Sequence, residues 1–142
     1  MARILSIDYG KRRTGIAVTD PLQIIANGLV TVSTSQLFDF LKSYVDKEDV
    51  EMIVVGKPMQ TNGLPSENLN RVEQFVNRWK KAFPDIPVQY VDERYTSVLA
   101  HQAMLEGGLR KKARQDKALV DEISATIILQ SYLESRRLHP QQ

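Results

Sequence analysis

"MARILSIDYGKRRTGIAVTD", residues 1 to 20, runs apolar, breaks at an acid and a glycine, crosses three consecutive cations and returns through a second glycine into another apolar run. Residues 3 to 8, RILSID, read as a strand, Gly10 to Gly15 close a hairpin, and residues 16 to 20, IAVTD, form the returning strand that Pro21 stops. A short β-branched segment at 29 to 32 supplies a third strand, so the chain begins with three antiparallel candidates. An acid at the end of a buried strand, flanked by cations, is a costly way to make a turn unless the carboxylate has a task.

The pattern then changes period. From Gln36 to Lys47 apolar residues recur at helical spacing, and the compact apolar stretch MIVVG at 52 to 56 follows, which is a βαβ signature. KPMQTNGLP reads as a loop, and Ser66 is a natural cap for a helix that lines Leu69, Val72, Val76 and Trp79 along one stripe. PVQYV at 87 to 91 predicts another strand, ending at Asp92, Glu93 and Arg94. A helix from Thr96 or Ser97 to about Glu106 stops at Gly107-Gly108. A basic loop then leads into a long apolar helix from about Lys117 to Arg136. Three strands, then alternating helix and strand, then closing helices predict an α/β layer fold with a mixed sheet.

Composition narrows the chemistry. The 142 residues, 42% of them hydrophobic, suit one domain with a proper core, expected over 1–138 with a frayed tail at 139–142. No apolar run approaches bilayer length and no cleavable leader precedes Asp8, so a soluble, cytoplasmic protein with no membrane partner is expected. Cysteine is absent, which excludes disulfides, thiolate metal sites and a cysteine nucleophile, and only two histidines remain, His101 and His139. Any metal must be held by carboxylates, which points to hard cations. The net charge of +2 makes no demand for nucleic acid in bulk, so the basic residues matter only where they cluster.

Acids and cations cluster together. Asp8 ends the first strand, Asp92 and Glu93 end a later one, and Asp121 and Glu122 lie inside the last helix. Strand carboxyl ends are where open α/β sheets bind ligands. Period alone chooses neither between Asp92 and Glu93 nor between Asp121 and Glu122. Three carboxylates at one site repel one another unless cations neutralise them, and oxygen-only donors suit Mg²⁺ or Mn²⁺. Two such ions about 3.5–4 Å apart would activate a water and steady the leaving oxygen of a phosphodiester. The cations supply the substrate side: Lys11, Arg12 and Arg13 sit on the turn beside Asp8, and Arg110, Lys111, Lys112, Arg114 and Lys117 precede the helix bearing Asp121. Arg94 adjoins the acidic pair. Such groups would meet the phosphates of a nucleic acid.

Four blocks now assemble into a pattern: DYGKRRTGIAVTD at 8 to 20, VVGKPMQTNGLPSENLNRVEQF at 54 to 75, DERYTSVLA at 92 to 100 and DKALVDEISATIILQSYL at 116 to 133. In order and spacing they resemble the YqgF family, also called RuvX-like, over nearly the whole chain. The resemblance implies a ribonuclease H-like fold: a five-stranded mixed sheet, its first three strands antiparallel, with helices on both faces. It also implies an acidic triad at Asp8, Glu93 and Asp121 that is both catalytic and metal-binding in a Mg²⁺- or Mn²⁺-dependent nuclease. Members are described either as nucleases maturing the 5′ end of precursor 16S ribosomal RNA, a step of ribosome biogenesis, or, from likeness to RuvC, as Holliday junction resolvases. This chain departs from the family in having Lys57 within Gly56-Lys57-Pro58, where Gly-Leu-Pro is usual, and Ile123-Ser124-Ala125 where alanines are usual.

Two other readings compete. The Asp-x-Gly hairpin also resembles the phosphate loop of actin-like and sugar-kinase phosphotransferases, although those enzymes close two such domains over a nucleotide. A non-catalytic nucleic-acid-binding factor on the same fold is the other. RNA or DNA as substrate and the oligomeric state are not written in the sequence.

Overall fold

The computed structural model describes residues 2–58, 67–92 and 117–138, with the side chains of the last segment described from 119 to 136. In chain order the elements are β1 (Arg3–Tyr9), β2 (Arg13–Thr19), β3 (Ala26–Ser33), a 3₁₀ turn (Thr34–Gln36), α1 (Leu37–Lys47), β4 (Val50–Lys57), α2 (Leu69–Ala82), β5 (Val88–Asp92) and α3 (Lys117–Leu138). The five strands form one mixed sheet in the order β3-β2-β1-β4-β5. β1 pairs antiparallel with β2 and β2 antiparallel with β3, while β4 pairs parallel with both β1 and β5. The α/β class, the mixed sheet and the three leading antiparallel strands agree with expectation.

The sheet is covered on both faces because alternate side chains of its central strands are both apolar, as parallel and central strands require. On one face Leu5, Ile7, Ile53 and Val55 pack under α1 and α2 with Leu41, Val72, Val76 and Trp79, all essentially without exposure. Trp79 stacks on Phe83 at 4.2 Å between ring centroids and meets Phe38 edge-on at 5.7 Å, geometries that aromatic pairs favour. On the other face Ile4, Ala17 and Val54 pack against Ala125, Ile128 and Leu129 of α3. A hydroxyl joins the helix to the sheet there: buried Ser6 Oγ donates to the Ala125 carbonyl at 2.6 Å.

Several boundaries differ from the sequence reading. β2 begins at Arg13, so the turn is confined to Gly10–Arg12 and Gly15 lies inside the strand, paired with Asp8. β3 begins at Ala26 rather than residue 29, because the Asp20 carboxylate gathers the N–H groups of Leu22, Ile24 and Ile25 into a tight turn that returns the chain early. β4 is longer than MIVVG, spanning Val50–Lys57, and Asn68 occupies the N-cap of α2. The proposed cap Ser66, the predicted helix near 96–106 and the tail at 139–142 lie outside the described residues.

Candidate active site

The site forms where β1 ends beneath the first turns of α3. Strand alternation puts Ile4, Ser6 and Asp8 on one face. Ile4 packs with Ala125 and Ile128, and Ser6 bonds the Ala125 carbonyl, so that face is the α3 side. On β2 the same side carries Arg13, Gly15 and Ala17, with Asp8 opposite Gly15 and Ser6 opposite Ala17. Asp121 stands four residues, about one helical turn, before Ala125.

Gly15 sets the height of the helix. A Cβ at this position would overlap the backbone carbonyl of Asp121, and the Asp121 Cβ would lie 3.0 Å from it. Only a residue without a side chain lets α3 descend this far onto β2, and the descent puts Asp121 directly above the Asp8–Gly15 pair. Gly15 is therefore a close-approach glycine and not the turn residue that its spacing from Gly10 suggests. Gly10 does belong to the turn, since a Cβ there would collide with the Arg13 carbonyl. Thr34 braces the same turn by donating its hydroxyl to the Gly10 carbonyl at 2.7 Å and its N–H to the Arg12 carbonyl at 2.9 Å. Asn68 Nδ2, at the start of α2, donates to the Tyr9 carbonyl at 2.8 Å. Turn and strand end are thus tied from two directions, although neither Thr34 nor Asn68 announces this role in the sequence.

Arg13 completes the described cluster. Its Nε donates to Asp121 Oδ2 at 2.9 Å, with the Arg13 side chain 43% and the Asp121 side chain 21% exposed. This cation balances the Asp121 charge, on the side of the sheet that also carries Asp8. Lys11 and Arg12 stand exposed on the turn. Glu122, the rival of Asp121, sits over β3: a Cβ on Gly28 would lie 3.5 Å from the Glu122 Cβ. Asp92, the rival of Glu93, has the strand parity of Val88, which packs toward α1 and α2, and not of Val91, which packs toward α3. Asp8 and Asp121 are therefore brought together, and Glu122 and Asp92 are not.

Glu93, Arg94, Arg110, Lys111, Lys112 and Arg114 lie outside the described residues, as does the side chain of Lys117. Among the described residues no group of three acids or histidines is arranged to hold a metal, and no helix is long and apolar enough to cross a membrane. Asp8 and Asp121, placed at neighbouring positions, offer carboxylate oxygens without sulfur or imidazole, the donor chemistry that suits a hard cation.

Comparison with known proteins identifies the family. The family model described as "RuvX: Holliday junction resolvase" matches residues 2–135. A protein of Phocaeicola vulgatus named "Putative pre-16S rRNA nuclease" is 69% identical over 137 residues, which cover 96% of this chain and 99% of that protein. Proteins with the same name from Bacteroides fragilis and Flavobacterium johnsoniae are 64% and 58% identical, over 97% and 96% of this chain and 100% and 99% of theirs. A match over this length, with relatives this similar from end to end, means that the chain belongs to the RuvX (YqgF) family, whose fold is ribonuclease H-like.

Proposed function

We propose that this protein is a metal-dependent nuclease that hydrolyses phosphodiester bonds in precursor 16S rRNA, at the 5′ end of the mature sequence. The observation that carries the reading is the convergence of Asp8 and Asp121 at one level of one sheet face, made possible by Gly15. The names carried by relatives that are 58–69% identical supply the substrate.

Asp8 and Asp121 would hold the divalent ion, Mg²⁺ or Mn²⁺. Glu93, the third acid that the family resemblance implies, completes the set in this reading. When bound, two such ions would supply an activated water and charge compensation at the leaving oxygen. The protein's own part is positional. Asp8 is held by the β1–β2 ladder and by the braced Gly10–Arg12 turn; Asp121 is held by the seat of α3 on Gly15. Arg13 keeps the two acids from repelling before substrate arrives, and its exposed guanidinium can turn to a phosphate, which is a bidentate partner for arginine. Lys11 and Arg12 take the neighbouring phosphates, and Arg94, Arg110, Lys111, Lys112, Arg114 and Lys117 are assigned the same task.

The description of the family model favours one second reading, cleavage of four-way DNA. Incubating the purified protein with a 5′-extended 16S precursor fragment and, separately, with a four-way DNA junction in Mg²⁺ or Mn²⁺ decides between them. Cleavage of the RNA at the mature 5′ end is the expected result; cleavage of the junction alone replaces it with the second reading, and cleavage of neither refutes both.

A further inference from the structure

A groove of about 290 Å³ opens on the opposite face of the sheet from Asp121, between α2 and the 3₁₀ turn before α1. Tyr9, Phe75, Arg71, Gln74, Arg78 and Ser35 are among its lining residues, none of which is acidic. Tyr9 follows Asp8 directly in β1, so the groove starts one residue from the candidate catalytic acid and on the other side of the same strand end. The Gly10–Arg12 turn, with its exposed Lys11 and Arg12, follows Tyr9 directly at this strand end. We propose that this groove holds the single-stranded RNA flank of the substrate, the chain crossing the β1–β2 turn from the Asp8–Asp121 cluster onto α2. The inference rests on the nuclease reading and extends it to a second binding surface.

Charge and shape both point to a polynucleotide strand. Arg71 and Arg78 stand seven residues apart on α2, about 10 Å along the helix. That is the rise of about three stacked nucleotides at ~3.4 Å each. Among the described residues neither arginine has an acidic partner, while the Arg78 guanidinium lies over the Phe38 ring at 4.0 Å from its centroid. Tyr9 and Phe75 adjoin with centroids 5.6 Å apart at a tilt of 38°, giving the groove an aromatic wall. A line of cations alongside aromatic rings is how single strands are bound without sequence preference: phosphates follow the charges and bases stack on the rings. Lys57, the residue that departs from the family pattern, has the strand parity of Ile53 and Val55 and so belongs to this face of the sheet and not to the Asp121 face.

The test measures binding in the full-length Asp8→Asn protein, so that cleavage plays no part. Fluorescence anisotropy compares a fluorescein-labelled precursor RNA carrying a six-nucleotide single-stranded flank with the same RNA trimmed to the scissile step. The flanked RNA is expected to bind more tightly, and Arg71→Glu to remove that advantage, weakening the flanked RNA roughly tenfold while leaving the trimmed RNA and the melting temperature unchanged. The slope of log affinity against log salt should become shallower by about 0.7 for each phosphate of a single strand that no longer meets a cation. Gln74→Lys, which adds a cation between the two arginines, should tighten the flanked RNA alone by several-fold. Equal effects of Arg71→Glu on both RNAs, or no effect on either, would overturn the groove assignment while leaving the nuclease reading in place; no RNA binding at all by the parent protein would overturn both.

Discussion

Replacing Gly15 with alanine adds one methyl group where the backbone of α3 already stands. The new Cβ would overlap the carbonyl carbon and oxygen of Asp121, which are main-chain atoms and cannot rotate aside as a flexible side chain would. Helix α3 must lift or slide, disturbing the packing of Ala125, Ile128 and Leu129 and the Ser6 bond to Ala125. Overpacking costs about 1–3 kcal/mol, and a collision with main chain belongs in the upper half, about 2–3 kcal/mol. For a chain of this length about 3–4 °C is lost per kcal/mol, so the melting temperature should fall by about 6–12 °C. Activity should fall further than stability: shifting Asp121 by about 1 Å relative to Asp8 costs on the order of 100-fold in rate. Gly28→Ala is the matched control, because its Cβ would meet Glu122 Cβ and Thr126 Oγ1 at 3.5 Å, ordinary van der Waals distance. That variant should stay within about 0.5 kcal/mol of the parent. Scanning calorimetry on both variants and cleavage of precursor RNA at a temperature well below both transitions provide the readings. A Gly15→Ala protein that melts and cleaves like Gly28→Ala would show that the helix does not rest on β2 as described.

Other outcomes follow from single interactions. Ser6→Ala removes the buried 2.6 Å bond to the Ala125 carbonyl and should cost about 1 kcal/mol, read as a shifted urea midpoint with an unchanged slope. Arg13→Ala breaks an ion pair whose arginine is 43% exposed; it should alter stability by less than about 1 kcal/mol yet weaken RNA binding, most visibly at low salt. Asp20 has its carboxyl held below the usual carboxylate value, foremost by the N–H of Ile25 and further by those of Ile24 and Leu22. A lowered folded pKa contributes stability that is present above the unfolded value near 3.8 and disappears as pH falls through the lower folded one. Asp20→Asn should therefore flatten the acid limb of the stability curve below about pH 4, and an unaltered acid limb would contradict the turn geometry.

Much of the fold is legible in the sequence because local rules decide it. The apolar run before Asp8, the β-branched third strand and the switch to helical period after Gln36 each reflect which side chains must be buried, and burial imposes the period. What stays open depends on distant residues meeting. Helix α3 crosses β1, β2, β3 and β4 and is buried or half-buried nearly all round, so its sequence shows no clean polar stripe from which to choose between Asp121 and Glu122. The two differ in what lies beneath: Gly15 under Asp121 and Gly28 under Glu122, on neighbouring strands. Asp92 and Glu93 are ambiguous for a similar reason, since an edge strand exposed on Gln89, Tyr90 and Asp92 carries little apolar alternation. Gly15 itself misleads because a glycine at the far end of three cations looks like turn chemistry, and only the partner helix shows it to be a packing position. The groove of Arg71 and Arg78 is hidden because those residues look like the solvated face of an amphipathic helix, and Tyr9 reaches them only through the sheet.

Everything turns on whether Asp8 and Asp121 act together on a divalent ion. The most direct measurement titrates Mn²⁺, followed by electron paramagnetic resonance, into the parent protein and into Asp8→Asn and Asp121→Asn variants, each checked for a parent-like melting curve and assayed for precursor RNA cleavage. Each substitution alone is predicted to abolish both the tight Mn²⁺ signal and cleavage while the fold persists. Parent-like metal binding and cleavage by either folded variant would contradict the shared site.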